Sequence, residues 1–162
     1  MLDHSKKIIH PSSDDAQIKI AISSLARPLV FTNGCFDILH RGHATYLEQA
    51  RNLGASLIVA ANSDDSVKRL GKGEDRPINT LEDRMAVLAS LQCVDAVISF
   101  DQDTPLEVIK TVLPNHLVKG GDWEIESIVG GDVVQANGGQ VHSIEFLFDR
   151  STTNLINKIK TQ

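Results

Sequence analysis

The segment FTNGCFDILHRGH, Phe31 to His43, begins inside an apolar, β-type run, PLVFTN. A helix is expected from about His43, with Ala44, Leu47, Ala50 and Leu53 as its apolar stripe and Gly54 as its stop. A strand that passes through a turn into a helix is the first half of a βαβ unit. His40 and His43 are three apart, which puts both imidazoles on one side of a helical turn. Gly42 lets a ligand or a neighbouring backbone come close.

The same alternation runs on through the chain. SLIVAANS, VDAVISF, HLVKGG and QVHSIEF read as four further short apolar strands. DDSVKRL reads as a short helix with Asp at its start. In TLEDRMAVLASLQ, Thr80 and Asp83 have capping-box spacing, and Leu81, Met85, Leu88 and Leu91 face inward. TPLEVIKTVL places Thr104 at the N-cap and Pro105 at the first helical position, and Pro114 closes the helix. IESIVGGDVVQANGG reads as a helix interrupted around Gly130 and Gly131 and ending at Gly138. STTNLINKI is a last helix, with Leu155, Ile156 and Ile159 inward. Five strands separated by helices predict an α/β fold, a parallel five-stranded sheet with right-handed crossovers and helices on both faces. Residues 1–27 form a leader holding one helix, capped by Asp14 or Asp15 with Ile18, Ile22 and Leu25 on one face. Residues 28–162 form the main domain.

A chain of 162 residues is long enough for one core without staples. The two cysteines, Cys35 and Cys93, fit no zinc or CxxC spacing and read as reduced thiols in the cytoplasm. No run has the length of a membrane span, and the N-terminus lacks a secretory h-region. A net charge of −5 and few aromatic residues argue against nucleic acid as a partner. They leave room for a phosphorylated small ligand, which needs only a local positive site.

In such sheets ligands bind beyond the carboxyl ends of the strands, near the point where strand order reverses. The segments there are Asn33 to His43, Asn62 to Asp65, Phe100 to Thr104, Lys119 to Trp123 and Phe146 to Thr153. Free N–H groups at the start of a helix attract phosphate, and His40 and His43 add donors at the first such place. RSTTNLI forms a second anion site, with Ser151 or Thr152 as cap and Arg150 as fixed cation. Alone, STTN is an ordinary N-cap. The His pair lacks the nearby Cys or internal Glu of a zinc motif, and neither GxGxxG nor GxxxxGK[ST] is present at this turn. GKGEDRPINT reads as a mobile loop whose Lys72 and Arg76, with Lys68 before it, are solvated or phosphate-directed. Arg84 reaches a phosphate or pairs with Glu82 or Asp83. Asp122 can accept from a sugar or base beside Gly120 and Gly121, and Trp123 reads as packing or as a site residue. His4, His10, His116 and His142 show no constellation.

GCFDILHRGH resembles the HxGH signature of the nucleotidylyltransferase superfamily, and RSTTNLI its second nucleotide motif. Over residues 28–160 the chain is similar to the ADP-heptose-forming adenylyltransferases of that superfamily, which occur alone or fused behind a ribokinase-like kinase. The resemblance implies a Rossmann-like fold and transfer of an adenylyl group from ATP, with Mg²⁺, to a heptose 1-phosphate. It implies His40, His43 and Arg150 as catalytic residues. It implies nucleotide contacts from Thr32, Asn33, Gly34, Cys35, Phe36, Asp37, Gly42, Asn62 and Asp64. It extends these to Lys72, Arg76, Arg84, Lys119, Gly120, Asp122, Trp123, Ser151, Thr152 and Thr153. Asp37 is expected to orient the loop or help place Mg²⁺. No dedicated protein metal site is expected, since Mg²⁺ favours phosphates and water. A stand-alone cytoplasmic enzyme is expected, served by a separate heptose kinase and phosphatase and possible as a homodimer, with no membrane partner. A cytidylyltransferase for glycerol phosphate, or a non-catalytic nucleotide-binding module, remains the alternative.

Overall fold

The computed structural model describes residues 3–10, 13–71, 73, 75–148 and 151–161. Lys72 and Arg150, both expected at the site, lie outside the described residues.

β1 (Leu29–Gly34) pairs in parallel with β2 (Ser56–Asn62) and with β4 (His116–Gly120). β3 (Ala96–Phe100) pairs with β2, and β5 (Gln140–Ile144) with β4. The order is β3-β2-β1-β4-β5, so the strand order reverses between β1 and β4.

Strand side chains alternate between two cores, as a period of two requires. Leu29, Phe31, Ile58, Ala60, Ile98 and Leu117 enter one core, which α1 (Asp15–Ile22), α5 (Leu106–Val112) and α6 (Gly131–Ala136) cover. Val30, Leu57, Val59, Val97 and Val118 enter the other, under α2 (Arg41–Arg51) and α4 (Leu81–Ser90). The Rossmann-like α/β sheet with helices on both faces is therefore as expected. α3 (Asp64–Arg69) and α7 (Thr152–Lys160) complete the α-helices among the described residues, and short 3-10 helices lie at His4–Lys7 and Ile125–Ser127.

The leader is tied in twice. Asp14 and Gln17 form a reciprocal capping box on α1, whose Ile18 and Ile22 are buried. Ahead of it, Ile8 bridges Val97, the Ile9 amide donates to the Val97 carbonyl at 2.9 Å, and Lys7 Nζ donates to the Leu91 and Val94 carbonyls.

Several details differ from expectation. Ala44 is exposed, and Tyr46, Leu47 and Ala50 form the inner stripe of α2, because the helix starts at Arg41. The N-cap of α5 is Pro105, one residue later than Thr104, and makes no side-chain cap bond. Ile159 is 68% exposed, since α7 buries only its first turn at Thr152. His116 Nδ1 and His142 Nε2 lie 3.0 Å apart across β4 and β5, so these two histidines do form a pair. Burial, and then His116, hold His142 below the usual imidazole range.

Candidate active site

After Gly34 the chain makes a sharp turn. Phe36 takes φ 47°, the left-handed region that costs a side-chain-bearing residue ~1–2 kcal/mol. The turn folds its ring back on Gly34, where an added Cβ would stand 3.0 Å from the ring edge. Asp37, 2% exposed, holds the next stretch. Its carboxylate accepts from Arg76 Nε at 2.5 Å, from the Ile78 amide at 2.9 Å and from the Asn79 amide at 2.9 Å. Its carbonyl accepts from Asn79 Nδ2. Burial alone would raise the Asp37 pKa, but these donors outweigh it and hold the carboxyl below its usual range.

His40 is the N-cap residue of α2 and His43 lies in its first turn. Their rings stack with centroids 3.9 Å apart and planes 24° apart. Phe36 meets His43 edge-on at 5.4 Å, and Phe146 does so at 6.3 Å. Gly42 serves this stack, because a Cβ there would stand 3.1 Å from the His40 ring. One turn further along α2, the buried Tyr46 hydroxyl bonds Thr32 Oγ1 at 2.5 Å and donates to the Val118 carbonyl at 3.3 Å.

A cleft of about 680 Å³ opens at the strand-order reversal. The end of β1 contributes Asn33 and Gly34 to it, and the segment that follows contributes Cys35, Phe36, Asp37, His40 and His43. β4 and its loop contribute Lys119, Gly120 and Trp123. The start of α7 contributes Ser151, Thr152 and Thr153. Ser151 caps α7 by accepting from the Asn154 amide, and Thr152 Oγ1 donates to the Ile38 carbonyl at 3.0 Å. That bond ties the second expected anion site to the first. Trp123 is 47% exposed, and its Nε1 donates to the Gly120 carbonyl. Lys119 Nζ lies 5.6 Å from the Trp123 ring centre.

A second cavity, about 220 Å³, shares Asn33, Gly34, Cys35, Lys119 and Trp123 with the cleft. It continues on the β2–β3 side past Asn62, Phe100, Asp103 and Thr104.

Five expected ligand residues stand elsewhere. Thr32 is buried beneath the cleft and bonded to Tyr46. Gly42 is buried against His40. Asp122 is exposed and lines neither cavity. Asp64 and Arg84 form an ion pair at 2.7 Å, with the Arg84 side chain fully buried. Arg84 therefore pairs with neither Glu82 nor Asp83. Arg76 does line the cleft, but its guanidinium is held by Asp37. Lys68 pairs with Asp65 on the surface. Tyr46, Gly71 and Gly73 also line the cleft and were not expected there, and Phe146 lines it from the segment expected after β5. Tyr46 was open to sequence reasoning, since it sits three residues after His43 on the same face of α2.

The family model for cytidylyltransferase-like proteins matches residues 31–155. The chain belongs to that family. Within it, the chain is 56% identical over 141 residues to a D-beta-D-heptose 1-phosphate adenylyltransferase of Bordetella bronchiseptica, covering 87% of each. It is also 56% identical over 149 residues to the bifunctional protein HldE of Haemophilus influenzae, covering 90% of this chain and 31% of that one. The chain thus spans about a third of such bifunctional relatives. Among solved structures, a lipopolysaccharide core biosynthesis protein from Thermoplasma volcanium aligns with a TM-score of 0.59 and 26% identity. That alignment covers 73% of this chain and 94% of the other. The family's matched span takes in both ends of the cleft, from β1 to the first turn of α7.

Proposed function

We propose that the chain transfers the adenylyl group of ATP to a heptose 1-phosphate, giving ADP-heptose and pyrophosphate, in the supply of heptose for lipopolysaccharide. The observation that carries this reading is one cleft lined both by the stacked His40–His43 pair and by the capped start of α7. Both are places where donors converge on an anion chain. The choice of sugar and of adenine rests on the identity to the named heptose 1-phosphate adenylyltransferase.

An oxygen of the sugar phosphate attacks the α-phosphorus in line. A P–O bond forms to it as the bond from the α-phosphorus to the bridging oxygen breaks, and pyrophosphate departs. The attacking oxygen is already ionised, so positioning and charge stabilisation carry the rate. His40 and His43 donate to the α- and β-phosphates. Ser151, Thr152, Thr153 and the start of α7 receive the far end of the chain, and Arg150, the preceding residue in sequence, is the cation that this reading assigns to that end. Lys119 stands on the wall shared by the two cavities, where the phosphates of both substrates meet. The smaller cavity receives the sugar, with Asn62, Asp103 and Thr104 offering hydroxyl partners. A Mg²⁺ bound with ATP would supply charge neutralisation for the leaving pyrophosphate. Among the described residues no cluster of three or more His, Cys, Asp or Glu side chains could hold a metal, and Asp37 is committed to its loop. Mg²⁺ favours phosphate and water ligands, so in this reading the ion would arrive with ATP.

Among the described residues no helix is long and apolar enough to cross a membrane. A cytoplasmic site of action and supply of substrate by a separate heptose kinase and phosphatase accord with this reading. The leader, residues 1–27, acts as a brace on a nucleotidylyltransferase domain formed by residues 28–162.

The test is a panel of ATP, CTP and GTP against α- and β-heptose 1-phosphate and glycerol 3-phosphate, read by pyrophosphate release. Release with ATP and one heptose anomer is expected. Faster release with CTP and glycerol 3-phosphate would replace this reading with a cytidylyl transfer.

A further inference from the structure

Arg84 sits behind the wall between the two cavities and opens into neither. From α4 its guanidinium reaches three separate segments. Nη1 donates to the Cys35 carbonyl at 2.6 Å, Nε to the Asn79 carbonyl at 3.1 Å and Nη2 to Asp64 Oδ1 at 2.7 Å. Cys35 belongs to the shared wall. Asp64 opens α3, two residues after Asn62 of the smaller cavity. Asn79 is one of the two residues whose amides hold Asp37. The turn after β1, the turn after β2 and the loop before α4 thus all meet on one cation. A planar guanidinium presents donors in several fixed directions at once, which a lysine ammonium on a flexible stem does not.

We propose that Arg84 is a positioning residue that fixes the wall between the nucleotide and the acceptor, and so the distance between the reacting atoms. This rests on the adenylyl-transfer reading above. In-line transfer needs the attacking oxygen roughly 3–3.5 Å from phosphorus, and a misplacement of about 1 Å costs on the order of 10²-fold in rate. Each substrate keeps its own remaining contacts when the wall shifts, so the loss falls on turnover rather than on binding.

Arg84→Lys keeps the charge and removes the fork. Its kcat is expected to fall by roughly 10²-fold while both KM values change little. Asp64→Ala, which cuts one of the three ties at a half-exposed carboxylate, should shift kcat in the same direction by less. A readout independent of turnover is the rate at which iodoacetamide alkylates Cys35, followed by peptide mass spectrometry. It should rise in both variants as the wall loosens. Cys93 is scored separately, and burial raises its thiol pKa and slows its reaction. A folded Arg84→Lys with wild-type kcat would overturn the proposal. So would a loss confined to the KM for ATP, which would make Arg84 a ligand. If Arg84→Lys does not fold, unchanged kcat and unchanged Cys35 alkylation in Asp64→Ala overturn it. A wild-type protein inactive with every nucleotide sinks the adenylyl reading instead, and the alkylation arm still tests the wall.

Discussion

His43 is held on three sides by rings, from His40, Phe36 and Phe146, and its place in the cleft follows from that packing. His43→Ala should lower kcat by roughly 10²-fold or more, the scale of losing one preorganised donor. ATP affinity, measured by calorimetry, should fall less. Wild-type turnover in that variant would take His43 out of the mechanism. Asp37 makes a different prediction. Its carboxyl pKa is depressed in the folded chain, so the ionised form adds stability above the unfolded pKa of about 3.9. That stability is lost as pH falls through the lower folded pKa. Urea midpoints of the wild type should therefore drop on acidification below about pH 4 more than those of Asp37→Asn. Equal drops would leave Asp37 without this role. The histidine pair was legible from spacing alone, but the arginines were not. An arginine letter is the same whether its side chain is solvated, bound to phosphate or buried. The partners that decide here, Asp37 for Arg76 and Asp64 for Arg84, are 39 and 20 residues away.

The strands and most helices were readable because burial marks them, as an unbroken apolar run along the fully buried β2 and as a period of about 3.6 along α4. What periodicity misses is where an element touches something distant. Gly54 reads as a helix stop, yet what it answers to is Pro28. An added Cβ would stand 2.4 Å from the Pro28 carbonyl oxygen, which already accepts from the Ala55 amide. Gly54→Ala should cost about 1–3 kcal/mol in urea unfolding, as overpacking against backbone does. A cost near zero would mean that the α2–β2 turn gives way easily. α7 shows the opposite case. Its cap was read correctly, but its apolar stripe predicted a packed helix where only Thr152 in the first turn is buried. Ser151→Ala should cost about 1 kcal/mol of local stability. Its kinetic effect should be a higher KM for ATP, since the same turn lines the cleft. An unchanged KM would argue that the phosphates do not use that end.

At the scale of the whole molecule the fold class followed from counting alternations, and the strand-order reversal followed only from the pairing of β1 with both β2 and β4. The leader is part of one core, since Ile9, Ile18 and Ile22 join Leu29 and Phe31 there. Ile18→Ala should therefore cost about 2–5 kcal/mol in urea unfolding and leave both KM values unchanged. A cost below that range would make the leader an appendage. The bond from Thr152 to the Ile38 carbonyl spans 114 residues. A ribosome adds roughly 5–20 residues per second, so the histidine turn exists for on the order of ten seconds before its opposing wall is made. During that interval the nascent chain has half a cleft, without the α7 turn that faces the histidines. Chains stalled short of residue 152 should therefore fail to retain ATP on a filter, and retention equal to the full chain's would make the α7 turn dispensable for binding.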